Sequence, residues 1–241
     1  MASSIRSPNV VVTSHAITSV DPQYPTAPKM DNAVKAVLTH YDQRGAKELA
    51  VMQELSPDEM MRRVDEFLIS IGPDTGTVLN ILVKSLRART ILEIGTSYGH
   101  STVFLAEAAR ANNGKVITVD ISADKQRYAD EQLTAAGLDS FVEFLTGDAR
   151  DLIASITGSL DFVLIDLWKD LYIPCFDLVY PKLSEGAFVA ADNILHPELF
   201  RNEMAAYRRH VRRQIGIESI LLPVVSGIEL SRYTRPDMQP A

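Results

Sequence analysis

Short apolar runs separated by amphipathic stretches make up the central part of the chain. Five runs have the length of buried strands, at 91–94, 116–119, 141–145, 162–165 and 188–191. Apolar residues at helical spacing follow the first four runs and predict helices over 101–109, 125–136, 151–156 and 171–178. Strands that alternate with helices form a parallel sheet through right-handed crossovers. The pattern therefore predicts an α/β fold with a doubly wound, mostly parallel sheet and helices on both faces.

Three further helices are predicted before the first strand. An amphipathic helix is expected over 32–52. A second helix begins at 56–59, where the sequence Ser-Pro-Asp-Glu is typical of a capping box, and is expected to run toward 67–68. A Gly-Pro pair then separates it from a third helix over 75–85.

Length and composition indicate one folded unit. The chain has 241 residues, of which 46% are hydrophobic and 23% charged, and this suits a single α/β domain with a large core. Residues 1–28 mix Ser, Thr, Val and Pro and predict an irregular arm, disordered or laid on a partner. Residues 29–241 contain no internal repeat and are predicted to form the single domain.

Charge and cysteine content exclude several classes of protein. The net charge of −7 makes a broad phosphate-binding surface unexpected, so no nucleic-acid partner is predicted. The one basic cluster, within 208–213, is interpreted as a solvated helix face. A single cysteine, Cys175, allows no intramolecular disulfide and no thiolate metal cluster. Since no run suits a membrane span or a signal peptide, a cytoplasmic protein without membrane contact is expected.

A glycine-bracketed turn follows the first predicted strand, in the sequence ILEIGTSYGHSTV at 91–103. Gly95 and Gly99 let a ligand approach the backbone, and the helix start around Ser101 leaves N–H groups free to meet it. The G-x-x-x-G spacing differs from the G-x-G-x-x-G of dinucleotide-binding dehydrogenases. Glu93 would repel a pyrophosphate and attract an ammonium or sulfonium group. The alternative is an ordinary strand–turn–helix that binds no ligand.

Acidic residues end four successive strands after the glycine turn: Asp120, Asp148, Asp166 and Asp192. Ligands of open α/β sheets bind at the carboxyl ends of the strands, so these carboxylates are expected to surround one crevice. Asp120 lies at the distance from the turn that suits hydrogen bonds from ribose hydroxyls. Asp148 could accept from an adenine amino group, or it could cap the next helix.

Oxygen ligands for a metal ion are concentrated after two of these strands. Asp166, Asp192 and Asn193 offer three hard oxygen donors, which suit Mg²⁺, Mn²⁺ or Ca²⁺ rather than zinc. Lys169 follows three residues after Asp166. A cation nearby would push its amine toward the neutral form that a general base requires. For Lys169 alone, the alternative is a solvated lysine in a Trp-Lys-Asp turn.

Three sequence strings in order resemble one protein family. They are L-E-I-G-x-x-x-G from position 92, D-L-W-K-D-L-Y at 166–172 and A-D-N at 191–193. Over roughly 67–233 the chain resembles class I S-adenosylmethionine-dependent O-methyltransferases, in the cation-dependent branch of catechol and caffeoyl-CoA O-methyltransferases. The resemblance implies a Rossmann-like fold. It also implies methyl transfer from S-adenosylmethionine to a hydroxyl of a small vicinal dihydroxy aromatic, with Lys169 as the base and Mg²⁺ as the ion.

The resemblance also implies roles for single residues. The residues assigned to the S-adenosylmethionine site are Ile71, Gly72, Glu93, Gly95, Gly99 and Ser101 around the methionine part, Asp120 at the ribose, Asp148, Ala149 and Trp168 around the adenine, and Ile121 and Asp166 without a named part of the donor. The implied metal ligands are Asp166, Asp192 and Asn193. The implied acceptor contacts are Phe67, Lys169, Asn193 and Pro197.

Two positions depart from the pattern of the catechol enzymes. The histidine that follows the metal aspartate in the family is Leu167 here, and the acid that grips the second hydroxyl corresponds to Ile220. Glu229 lies nearby in sequence and could replace that acid. The acceptor is therefore less defined than the reaction, and a hydroxylated tRNA nucleoside or a non-catalytic cofactor-binding role are the alternatives. By analogy with caffeoyl-CoA enzymes, a homodimer is expected.

Overall fold

A seven-stranded sheet forms the centre of the protein in the computed structural model, which describes residues 30–236. In chain order its strands are β1 Thr90–Ile94, β2 Lys115–Asp120, β3 Val142–Thr146, β4 Leu160–Ile165, β5 Leu183–Ala191, β6 Ile217–Leu222 and β7 Ile228–Tyr233. The strand order is β3-β2-β1-β4-β5-β7-β6, parallel through β5 and antiparallel for β7 and β6. The predicted doubly wound, mostly parallel fold is confirmed.

Eight α-helices accompany the strands in the described part of the chain. They are α1 Asn32–Glu54, α2 Pro57–Arg63, α3 Pro73–Leu86, α4 His100–Asn112, α5 Ala123–Ala135, α6 Ala149–Ser155, α7 Tyr172–Val179 and α8 Arg201–Val211. The capping box predicted for α2 is present between Ser56 and Glu59. The predicted arm over residues 1–28 lies outside the described residues. No helix between residues 30 and 236 combines the length and apolarity needed to cross a membrane.

The second helix ends earlier than predicted. It stops at Arg63 and gives way to a single turn of 3₁₀ helix at Val64–Glu66 instead of continuing to Phe67 and Leu68. Phe67 is extended, and the backbone N–H of Leu68 donates to the Glu48 carboxylate on α1. Both apolar side chains are buried in this conformation.

Two apolar layers pack against opposite faces of the sheet. One layer contains buried residues of α1, α3 and α4, and the other contains buried residues of α6, α7 and α8. Helix α4 is the most enclosed, because the ten residues 100–109 are all buried between the sheet and its neighbours. The helix that follows the glycine turn is therefore held on all sides, and its first turn has a fixed position relative to the strand ends.

Candidate functional site

The carboxyl ends of the parallel strands meet at one edge of the sheet. Ile94 is in register with Val119 and with Ile165, and Ile165 is in register with Ala191. The residues that follow these positions are Gly95, Asp120, Asp166 and Asp192, so the strand register brings all four to the same edge. The turn between β6 and β7 reaches this edge as well, because β7 begins antiparallel to the end of β5.

Two glycines of the turn after β1 have backbone conformations that side chains rarely adopt. Gly95 has φ +107°, and a Cβ there would lie 1.9 Å from the carbonyl oxygen of Asp166. Gly99 precedes α4 with φ +88°, where a Cβ would lie 2.5 Å from the Cβ of Ala129. Gly99 caps α4 without a side-chain hydrogen bond, and free N–H groups at the start of a helix suit an anionic group of a ligand.

Helix α1 supports this turn from outside. The Tyr41 hydroxyl donates to the Tyr98 carbonyl, and the Arg44 guanidinium lies 4.0 Å from the centroid of the Tyr98 ring. Ser97 has φ +46°, and its backbone N–H donates to Asp120 at 2.7 Å. The turn is thus held both by a helix far away in sequence and by the acid at the end of β2.

Glu93 lies beneath the turn rather than at its surface. It is fully buried, and one carboxylate oxygen accepts hydrogen bonds of 2.6 Å from each of Thr102 and Thr118. The other oxygen has no hydrogen-bond partner among the described residues. Burial raises the pKa of Glu93 to about 7. Ser101, on the first turn of α4, is also buried.

Asp120 and Asp148 have different surroundings. The Asp120 carboxylate accepts from the backbone N–H groups of Ser97 and Ser122, and the next residue, Ile121, is 81% exposed. Asp148 caps α6 by accepting from the N–H of Arg150, and it also pairs with the Arg150 guanidinium at 2.7 Å. These hydrogen bonds from Arg150 lower the pKa of Asp148 to about 2. The capping alternative accounts for Asp148, and its contact with adenine stays a prediction.

The structure gathers the predicted ion ligands around the amine of Lys169. Its Nζ donates to the Asn193 side-chain oxygen at 2.8 Å and to the Tyr172 hydroxyl at 2.7 Å, and lies 3.6 Å from a carboxylate oxygen of Asp166. The Tyr172 hydroxyl in turn donates to the backbone carbonyl of Asp192 at 3.0 Å. Burial lowers the pKa of Lys169, which favours the neutral amine.

The charges of this cluster fit a bound cation. Burial raises the pKa of Asp166, and that of Asp192 to about 7, so both anions lack the solvation that water would give them. One oxygen of Asp192 is buried and has no hydrogen-bond partner within residues 30–236. Two carboxylates face a single ammonium group. A hard divalent cation would offset the excess negative charge and satisfy the unpaired oxygen.

The ligand set for that cation is small. Within the described residues, no group of three His, Cys, Asp or Glu side chains could hold a metal ion. The site consists of two carboxylates and the amide of Asn193, so further oxygens would have to come from water or from a substrate. Such incomplete protein coordination is typical of Mg²⁺ sites.

Apolar side chains surround the acids at the same edge. Trp168 is 48% exposed, Leu195 38% and Val225 60%. A Cβ on Gly72 would lie 4.0 Å from Val225, which places the Ile71–Gly72 segment beside the β6–β7 turn. Exposed apolar residues beside buried charges suit a flat, partly apolar ligand.

The remaining predicted residues differ in burial. Ile71 and Phe67 are buried, Ala149 packs at the edge of the apolar layer around α6 and α7, and Pro197 is exposed. The Arg63 guanidinium lies 5.4 Å from the centroid of the Phe67 ring. The acceptor contacts assigned to Phe67 and Pro197 stay predictions.

Glu229 does not turn toward the strand ends. It is fully buried and pairs with Arg208 at 2.8 Å and with Arg212 at 2.7 Å. Ile220, at the position of the family's acid, is 58% exposed on β6. The Glu229 carboxylate is thus occupied by two arginines, and the Ile220 side chain carries no group that could bind a hydroxyl. The basic cluster of 208–213 does not lie on a single helix, since α8 ends at Val211. Two arginines of the cluster, Arg208 and Arg212, pair with Glu229.

Two contacts of the site were not predicted from the sequence. Tyr172 bridges Lys169 and Asp192, and Ser226 donates to Asp192 at 2.8 Å. Tyr172 belongs to the D-L-W-K-D-L-Y string, which marked it as part of the motif without indicating its contact. Ser226 lies 34 residues from Asp192 in the chain, and no local pattern distinguishes it.

His100 predicts a pH-dependent loss of stability. It begins α4, packs edge-on against Tyr41 and Phe104, and is buried, which lowers its pKa to about 4 from an ordinary 6.5. Below pH 6.5 His100 is protonated in the unfolded chain but stays neutral in the folded chain. The free energy of unfolding therefore decreases as the pH is lowered from 6.5 to about 4. The full loss is roughly 3 kcal/mol, with about 2 kcal/mol reached at pH 5.

Urea unfolding of the wild type and of His100→Phe at pH 7.5 and pH 5.0 measures this contribution. The variant should gain about 2 kcal/mol relative to the wild type on acidification, because it cannot bind the proton. Taking the difference between the two proteins removes the titration of other groups. A difference that is the same at both pH values would contradict the prediction.

Several known proteins are similar to this chain in sequence. A family model described as O-methyltransferase matches residues 42–233. The chain is 32% identical over 131 residues to a catechol O-methyltransferase of Niastella koreensis, covering 53% of this chain and 59% of that protein. It is 26% identical over 223 residues to the catechol O-methyltransferase of Mus musculus, covering 81% of this chain and 82% of that protein.

A solved structure agrees with the family match at the level of the fold. The crystal structure of the O-methyltransferase from Bacillus cereus in complex with SAH has a TM-score of 0.64 and 24% identity, covering 80% of this chain and 100% of that chain. The family model spans both the glycine turn and the strand ends that carry the acids. The chain belongs to the O-methyltransferase family, as the three sequence strings predicted.

Proposed function

We propose that this chain is a divalent-cation-dependent O-methyltransferase that methylates a hydroxyl of a small catechol-like aromatic. The observation that carries the proposal is the cluster after β4 and β5. There, two poorly solvated carboxylates and the Asn193 amide adjoin one lysine amine whose neutral form is favoured. The similarity to catechol O-methyltransferases supports the same acceptor class.

When bound, S-adenosylmethionine supplies the methyl group, and a divalent cation favours the ionised form of an aromatic hydroxyl. Asp166, Asp192 and Asn193 would hold the cation. The turn between Gly95 and Gly99 would lie beside the donor, and a Cβ at either glycine would collide with its neighbours and displace the turn. Holding donor and acceptor in fixed relation is itself a large part of such catalysis.

Lys169 has the role of the base in this proposal. As an ammonium it donates all its protons to nearby oxygens of Leu167, Tyr172 and Asn193. The neutral amine, which burial favours, has a lone pair that can accept the proton of an acceptor hydroxyl. That proton leaves as the hydroxyl oxygen takes the methyl group, so the reaction yields a methyl ether and the neutral thioether of the donor.

The acceptor is held differently from the pattern of the catechol enzymes. Ile220 cannot grip a second hydroxyl, and Glu229 is used by arginines. The exposed apolar residues Trp168, Leu195 and Val225 would then contact the acceptor. We therefore propose an acceptor with vicinal oxygens at the ion and an aromatic body between these side chains.

Removal of metal tests the function directly. Purified protein with S-adenosylmethionine and a panel of vicinal dihydroxy aromatics should give methylated products, detected by mass spectrometry, with regiochemistry assigned by NMR. EDTA should abolish product formation, and Mg²⁺ in excess should restore it. Turnover that persists in EDTA after exhaustive dialysis would contradict the cation-dependent reaction.

A homodimer in the cytoplasm, without nucleic acid or membrane as partner, stays our proposal. Because two arginines of the 208–213 cluster pair with Glu229, this cluster gives less support to a tRNA substrate. Tight S-adenosylmethionine binding without turnover of any phenol would favour the non-catalytic alternative.

A further inference from the structure

The turn between β6 and β7 is locked to the loop that follows β5. The backbone N–H of Ile194 donates to the Gly227 carbonyl at 3.0 Å, and that of Leu195 donates to the Ser226 carbonyl at 2.8 Å. A Cβ on Gly227, which has φ +85°, would lie 2.6 Å from the Leu195 side chain. The two segments are therefore in backbone contact, directly beside the ion ligands Asp192 and Asn193.

Backbone conformation within this turn is unusual. Val225 has φ +48°, in the left-handed region that a β-branched residue rarely enters. Such conformations persist where the surrounding structure fixes them, and they concentrate at functional sites. Asn193, in the facing loop, has φ +57°. Each of the two segments thus contains one non-glycine residue in the left-handed region.

The Ser226 side chain reaches from this turn to Asp192. Its hydroxyl donates to one carboxylate oxygen of Asp192 at 2.8 Å, while the other oxygen is buried and has no partner among the described residues. The turn itself is already fixed by backbone hydrogen bonds that do not involve the hydroxyl. The hydroxyl therefore orients the carboxylate rather than the turn.

We propose that Ser226 is a positioning residue that fixes the Asp192 carboxylate, so that its free oxygen is directed to a divalent cation. This inference rests on the proposed cation-dependent function. Outer partners of metal ligands hold those ligands in one orientation, and their removal commonly weakens metal binding 10- to 100-fold. Ser226→Ala removes a hydrogen bond that orients the Asp192 carboxylate, and binding of the ion then includes the cost of orienting it.

Binding of Mn²⁺ measures this effect without reference to turnover. Free Mn²⁺ is followed by electron paramagnetic resonance during titration of the protein in the presence of S-adenosylhomocysteine. We expect Ser226→Ala to raise the Kd for Mn²⁺ about 10-fold or more, and Ser226→Thr, which keeps a hydroxyl, to restore most of the affinity. Affinity for S-adenosylhomocysteine should stay the same in all variants.

Ser219→Ala is the matched control. Ser219 lies on the same hairpin and also donates to a buried carboxylate, that of Glu229 at 2.7 Å, which is not an ion ligand in the proposal. Its loss should change thermal stability and leave Mn²⁺ affinity at the wild-type value. An equal fall in affinity for the two alanine variants would show a general loosening of the hairpin and would overturn the role of Ser226.

The outcomes separate this inference from the proposed function. A wild-type chain that binds no Mn²⁺ contradicts both. Wild-type affinity in Ser226→Ala, together with loss of binding in Asp192→Ala, contradicts only the role of Ser226. A Ser226→Ala chain that no longer folds, as judged by circular dichroism, would show that the hydroxyl supports the turn itself and would also overturn the inference.

Discussion

Lys169→Ala should lower kcat by about 10²- to 10⁴-fold, the usual contribution of a positioned general base. Donor binding should be unchanged, because the lysine contacts oxygens of the ion site and not the glycine turn. Lys169→Arg should be almost as slow, since a guanidinium keeps the positive charge but does not release its proton near neutral pH. Single-turnover rates and calorimetric binding of S-adenosylhomocysteine separate the two effects.

Lys182→Ala serves as the control for this prediction. Lys182 is also partly buried and donates to backbone carbonyls, but it precedes β5 and thus lies at the opposite end of the strand from Asp192. Its removal should leave kcat at the wild-type value. An active Lys169→Arg enzyme would mean that the charge of Lys169 matters and its basicity does not.

Gly95→Ala should destabilise the fold by about 3 kcal/mol or more and abolish donor binding. The new Cβ would lie 1.9 Å from the carbonyl oxygen of Asp166, at a backbone angle of φ +107°. Because that contact is with backbone, the turn and the start of the ion site must move apart to accept a methyl group. Urea unfolding and S-adenosylhomocysteine titration measure the two consequences.

Gly137→Ala isolates the cost of backbone conformation alone. Gly137 has φ +66°, and within the described part of the chain no heavy atom outside its immediate neighbours lies within 4 Å of a Cβ built there. Its substitution should cost only about 1–2 kcal/mol, the penalty for a left-handed residue with a side chain. A Gly95→Ala variant as stable as Gly137→Ala would show that the turn can yield, and would contradict the prediction.

Much of the sheet followed from local pattern. Apolar runs such as 162–165 are bounded by polar residues, and their alternation with helices predicted the parallel pairing that the structure shows. The carboxyl edge, with Asp166 and Asp192 adjacent, followed from topology alone. The hairpin of β6 and β7 did not, because β7 buries the polar residues Glu229 and Ser231 and so lacks the apolar run of a core strand.

The side chains of the site were harder to predict than their positions. Sequence placed Glu229 near the acceptor, but the direction of a side chain depends on which partner the fold supplies, and α8 supplies two arginines. Asp148 illustrates the same limit, since Arg150 and the start of α6 occupy its carboxylate. Ser226 has no sequence signature, because its only distinguishing feature is a contact made across the finished fold.

The left-handed backbone conformation of Val225 is not needed in a turn that only connects two strands. A valine in the left-handed region costs on the order of 1–3 kcal/mol, which a glycine would largely recover. Glycine would also widen the range of shapes open to the turn and remove an apolar surface from the rim of the crevice. The chain thus has a lower thermal stability in exchange for a rigid apolar turn. Variants designed for higher thermal stability should therefore keep Val225.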